Sequence, residues 1–109
     1  MSQITTVGIL VLAAILEVGG DALIRGGLHR SGIARLAAFL GGGLILFCYG
    51  YLVNAPPWDF GRLLGVYIVL FFVLAQLASW VVFHTPPTPA VVVAAAFIIT
   101  GGVILLTAR

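Results

Sequence analysis

Lysine is absent from this chain, and charge of either sign is scarce. Five arginines and three acids supply the charged side chains among 109 residues, 7% of the sequence against 62% hydrophobic. A soluble domain carries about 25% charged residues, and a globule this small has too little interior to hide so much apolar surface. The arginines form no cluster along the sequence, so a nucleic-acid interface has no support. Cys48 is the one cysteine, which excludes an internal disulfide and any cysteine-based metal motif. No nucleophile–base pair and no metal-ligand spacing is visible, so neither an enzyme nor a bound metal or cofactor is expected.

What the chain has instead is length in its hydrophobic runs. Mean hydropathy is +1.26, and four stretches approach the ~20 apolar residues that a bilayer-spanning helix needs. The breaks between them predict helices over residues 6–28, 33–53, 62–83 and 90–107. "HRSG" (29–32) reads as a polar turn, while "NAPPWDFG" (54–61) and "HTPPTP" (84–89) hold prolines that cannot continue a helix. The β-branched run "AVVVAAAFIIT" would suggest a strand in water, but a lone strand in lipid leaves its backbone unpaired. A membrane barrel needs alternating polarity that these runs lack. The expected architecture is therefore all-α, one four-helix transmembrane domain over residues 1–109, integral to the cell membrane. The first run has no basic start and carries two acids, so it does not read as a secretory signal.

Orientation is weakly encoded. With short loops, both chain ends and the 54–61 loop share one side, with Arg62 and Arg109. Arg30 and Arg35 lie on the other, with Arg25 near them. So small a bias leaves open both a fixed orientation and insertion both ways up, which would permit an antiparallel homodimer.

The segment "AAILEVGGDALIRGG" (13–27) places Glu17, Asp21 and Arg25 in an otherwise oily helix. At about 100° per residue, the Glu17 face also holds Leu10, Ala13, Ala14, Gly20, Asp21 and Ile24, small residues that let helices approach closely. Val11, Leu12 and Ile15 on the back suit lipid. Glu17 falls about eleven residues from either end of the expected helix, near the bilayer midplane, where an ionised group costs at least ~2.5–3.5 kcal/mol. Asp21 and Arg25 have the i,i+4 spacing, acid first, that favours pairing, and Arg25 is near enough to the helix end to reach the headgroups. Glu17 is one turn from Asp21, and two carboxylates so close in low dielectric resist ionising together. Such a carboxyl suits coupling of protons to a cation. Its structural alternative is a protonated group bonding helices together.

These residues resemble the small multidrug resistance family of proton-coupled exporters, in the drug/metabolite transporter superfamily. The likeness rests on "LEVGG" (16–20), with Glu17, Gly20 and Arg25 matching the family's helix-1 pattern. "LASWVVF" (77–83) is similar to its Ser-Trp segment, and "TPAVV" (88–92) and "TGGVILL" (100–106) to its helix-4 entry and dimer face. "FGRLLGVY" (60–67) is similar to related small four-helix membrane proteins of unknown function. The resemblance implies an antiparallel homodimer in a bacterial inner membrane, packed through Gly101 and Gly102. Two copies of Glu17, with Gly20, Asp21 and Tyr67 nearby, would share one site for protons and a small cationic or polar substrate. The chain departs from the exporters at Tyr67, where they carry tryptophan, at Leu64, at Val69 and Phe71 in place of a glycine pair, and at Asp21.

The residues alone leave Tyr67 and Gln76, on nearly opposite sides of helix 3, as rival partners of the site. They also leave room for a small ion channel or a non-transporting assembly subunit. Gly41–Gly43 reads as a flexing point or as close packing. Trp58 reads as an interfacial anchor, His29 and His84 as solvated helix ends, and Asp59 as a helix start.

Overall fold

The computed structural model describes residues 2–108, so Arg109 and its expected place beside Arg62 lie outside the described residues. Four helices follow in chain order: α1 Gln3–Leu28, α2 Gly32–Val53, α3 Phe60–Val81 and α4 Pro89–Thr107. No strand occurs among the described residues, and each helix is long and apolar enough to cross a membrane. In lipid a helix satisfies its own backbone groups, so the β-branched α4 is helical like the rest.

The helix ends differ from those expected, for local reasons. The α1 helix starts three residues early because the Ser2 hydroxyl caps it, accepting from the Thr5 N–H at 3.1 Å. The α3 helix starts two residues early because Asp59 Oδ2 accepts from the Arg62 N–H at 3.0 Å. It also stops two residues early. Val82 and Phe83 both donate to the Ala78 carbonyl, at 2.8 and 3.4 Å, and His84 turns left-handed at φ 57°. Pro89 opens α4 behind a Thr88 cap, where its missing N–H costs nothing. Gly32, the first residue of α2, has φ +62°, a conformation glycine adopts without strain.

The chain forms two compact units, residues 1–56 and 57–109. In the first, α1 and α2 form an antiparallel hairpin. Thr6, Ala13, Gly20 and Gly27 are buried at seven-residue intervals on α1, and Ala38, Gly42 and Val53 are buried on α2. A Cβ on Gly42 would lie 3.0 Å from the Gly20 carbonyl and 2.9 Å from Ile24 Cγ1, so the two backbones meet there without room for a methyl. Gly41 and Gly43, by contrast, face open space. Leu12 and Ile15, on the back of α1, are exposed, as suits side chains facing lipid.

The second unit is a hairpin of α3 and α4. Gly102 packs against Val69, and Gly65 against Leu105. Gly102 is the one buried residue of α4.

Each hairpin is fastened by an arginine. Arg35, in the first turn of α2, donates from Nε to the Arg30 and Gly27 carbonyls (2.9 and 3.2 Å) and from Nη2 to Leu28 (3.2 Å). Arg62, in the first turn of α3, donates to the Leu105 and Leu106 carbonyls, both at 3.0 Å. The last carbonyls of a helix lack partners within it, and a guanidinium carries enough donors to serve several at once.

Candidate functional site

The placement of Glu17 follows from the glycine seam. Because Gly20 and Gly42 admit close contact, α1 lies flat on α2. Glu17, one turn before Gly20, is held half-buried on the edge of the packed face. It stands fourteen residues from the start of α1 and eleven from its end. At about 1.5 Å per residue, both ends of the helix are more than ~15 Å away.

The pairing across the hairpin also reveals a residue that sequence reasoning missed. Gly27 meets Phe39, Ile24 meets Gly42, and Gly20 meets Leu46. Continuing by one turn brings half-buried Tyr49 level with Glu17. Nothing in the local run "LFCYGYL" marks this tyrosine over Tyr51, which is 77% exposed. Only the register selects it.

The other expected site residues are distributed as follows. Gly20 is buried, and a Cβ there would lie 2.8 Å from Leu46 and 3.1 Å from the Gly42 carbonyl. Asp21 and Arg25 are exposed on α1, one turn apart. In the second unit Tyr67 is buried at 4% exposure and stacks on Phe71, ring centres 6.2 Å apart. Gln76 is half-buried on another side of α3, in a groove of about 280 Å³ that also takes in Trp80, Val91 and Ala95. Gly101 is exposed. Hollows of about 460 and 370 Å³ adjoin it, both bordered by Phe97 and Ile104.

Two further polar groups were not anticipated. Arg62 lies over the Trp58 ring, 4.2 Å from its centre, so this loop tryptophan packs on the α3–α4 clasp. Thr6 is fully buried with no hydrogen-bond partner for its hydroxyl among the described residues. The threonines of α4 differ: Thr100 and Thr107 bond back to the carbonyls of Ala96 and Val103, at 2.6 and 2.8 Å. Among the described residues, no three His, Cys, Asp or Glu side chains gather as metal ligands would.

Comparison with known proteins gives a consistent placement. Residues 3–109 match the family described as "Uncharacterised BCR, YnfA/UPF0060 family". A protein of Herpetosiphon aurantiacus named "UPF0060 membrane protein" is 30% identical over 108 residues, covering 97% of this chain and 96% of the relative. No solved structure matches. With four apolar helices of spanning length and a match over nearly its whole length, the chain belongs to the YnfA/UPF0060 family and is an integral membrane protein.

Proposed function

We propose that this protein is a proton-coupled exporter of a small cationic or polar solute, akin to the small multidrug resistance transporters and working as an antiparallel homodimer. The observation that carries the reading is Glu17, a carboxyl half-buried mid-way along a membrane-spanning helix and at the edge of its packed face. A charge at that depth is costly to keep, and intramembrane acids of this kind mark ion and substrate pathways.

The chemistry follows from competition. An ionised Glu17 attracts a cation, and a protonated one does not, so protons and cargo exclude each other at one carboxyl. Tyr49, level with Glu17 on α2, offers a hydroxyl that can hold the carboxyl between turnovers. Asp21 and Arg25 stand one turn apart on α1, a spacing at which the arginine can swing to neutralise the neighbouring acid. Gly20 keeps the approach narrow. Four helices give one copy little room for a pathway, and transporter sites form at repeat interfaces near the midplane. A second copy supplies the missing half, with exposed Gly101 on the joining face, while Gly102, buried against Val69, packs within the hairpin. The hollows adjoining Gly101 suit side chains from a partner α4.

The test uses purified protein in liposomes under an imposed pH gradient, with a quaternary ammonium cation as probe. The native protein is expected to accumulate the cation against its gradient and to bind it more weakly as pH falls. Glu17→Gln is expected to lose both properties. Equal transport by Glu17→Gln, or binding indifferent to pH, overturns the reading.

A further inference from the structure

The two ends of the α1–α2 hairpin are electrically unlike. One end, formed by residues 2–6 and 53–56, bears no charged side chain, and between residues 22 and 58 there is no acid at all. The other end gathers Arg25, His29, Arg30 and Arg35, all exposed. The three arginines are spread five residues apart in sequence, and the turn at residues 29–31 brings them to one end of the hairpin.

The geometry makes this end an acceptor of negative charge. The last carbonyls of α1 would ordinarily present the negative pole of the helix. Arg35 covers two of them, at Gly27 and Leu28, and with a third hydrogen bond, to the Arg30 carbonyl in the turn, these fix its guanidinium in place. Those bonds use Nε and Nη2, and its Nη1 has no partner among the described residues. The Arg30 guanidinium likewise has none, since only its backbone N–H and carbonyl are engaged, by Gly27 and Arg35. A pre-positioned guanidinium beside a second, unengaged one matches the paired oxygens of a phosphate. Because α1 and α2 both end here and both span the membrane, the groups sit at the depth of lipid headgroups.

We propose that the α1–α2 turn binds the headgroup phosphate of anionic phospholipids, with Arg30 and Arg35 as the contacting side chains and Arg25 adding attraction one turn deeper. This surface is separate from Glu17 and does not depend on transport. The second hairpin has no equivalent, because Asp59 sits beside Arg62 and the guanidinium rests on Trp58.

Native mass spectrometry of the detergent-solubilised full chain, with added lipid, tests this directly. Phosphatidylglycerol is expected to remain bound and to raise the unfolding temperature, and phosphatidylcholine to do neither. Glycerol 3-phosphate, the same phosphate without a lipid tail, is also expected to do neither. The variant Arg30→Gln, whose side chain has no partner among the described residues, is expected to bind phosphatidylglycerol roughly fivefold more weakly, while unfolding at the native temperature without lipid. Raising the salt is expected to weaken binding to the native protein. Equal retention of the two lipids, unchanged binding by Arg30→Gln, or equal stabilisation by glycerol 3-phosphate overturns the proposal.

Discussion

The two hairpins use the same devices with different tightness. In each, glycines bring the helices together and an arginine of one helix clasps the last carbonyls of the other. In the α1–α2 hairpin, glycine contacts recur from Gly20 to Gly27 on α1, and backbone meets backbone at Gly42. In the α3–α4 hairpin the glycine contacts are with side chains, at Val69 and Leu105. The Arg62 clasp falls at that same end, and a groove of about 280 Å³ opens between the helices near Trp80 and Pro87. The costly acid is carried by the hairpin whose packing leaves no slack. A carboxyl that must hold one geometry needs a stiff support, and the looser hairpin is the one able to repack.

The most damaging substitution expected from this contrast is Gly42→Ala. Its methyl would meet the Gly20 carbonyl at 3.0 Å and Ile24 Cγ1 at 2.9 Å. A carbonyl cannot swing aside as a side chain can, so α1 and α2 must separate. Overpacking of this kind costs about 1–3 kcal/mol. Unfolding titrations in mixed micelles are expected to show that loss for Gly42→Ala, while Gly43→Ala, facing open space, stays within about 0.5 kcal/mol. Equal effects at the two positions would mean that the first hairpin is not tightly packed at Gly42.

This pair also shows what the sequence could and could not disclose. Four helices were legible because lipid leaves a long apolar run no other fold, and Glu17 stood out because its depth is expensive. The glycines were visible, but of Gly41, Gly42 and Gly43 only the middle one packs, and helical phase against a partner decides that. The ends of α1, α2 and α4 fall where expected and Asp59 starts α3 as read, but the helix starts lie one to three residues early, and α3 stops two early, because caps such as Ser2 are local hydrogen bonds that hydropathy does not register. Arg35 and Arg62 read only as charges near helix starts on opposite sides of the membrane, a weak bias on orientation. Their work as clasps is a contact between helices, spanning 43 residues of sequence for Arg62 and Leu105. Tyr49 was hidden for the same reason: it acquires a partner only once the antiparallel register is known.

A smaller effect is expected at the first clasp. Arg35→Gln removes two bonds to the end of α1 and one to the following turn, but the group is exposed and water can replace part of what is lost. The cost is roughly 1–2 kcal/mol, concentrated at the turn. Amide exchange is expected to quicken at residues 28–31, where the His29 and Arg30 N–H groups close the last turn on Gly26 and Gly27. Exchange in α3 and α4 is expected to stay as it was. A change spreading evenly over all four helices would show that the hairpins do not respond as separate units.

The smallest effect is expected at Gly65, one of the close glycine contacts of the second hairpin. A methyl on Gly65 runs into Leu105 Cδ1 but stays 3.8 Å from its Cγ, so only the far end of a flexible side chain is in the way. Leu105 is 38% exposed and borders a hollow of about 460 Å³, which gives it somewhere to turn. Moving it off its rotamer costs about 0.5–1.5 kcal/mol, and replacing a mid-helix glycine by alanine returns up to ~1 kcal/mol. Gly65→Ala is therefore expected to unfold within about 0.5 kcal/mol of the native protein in the same mixed-micelle titration. A loss equal to that of Gly42→Ala would show the α3–α4 contact to be as rigid as the α1–α2 seam, and the contrast between a stiff hairpin bearing the acid and a yielding second hairpin would be lost.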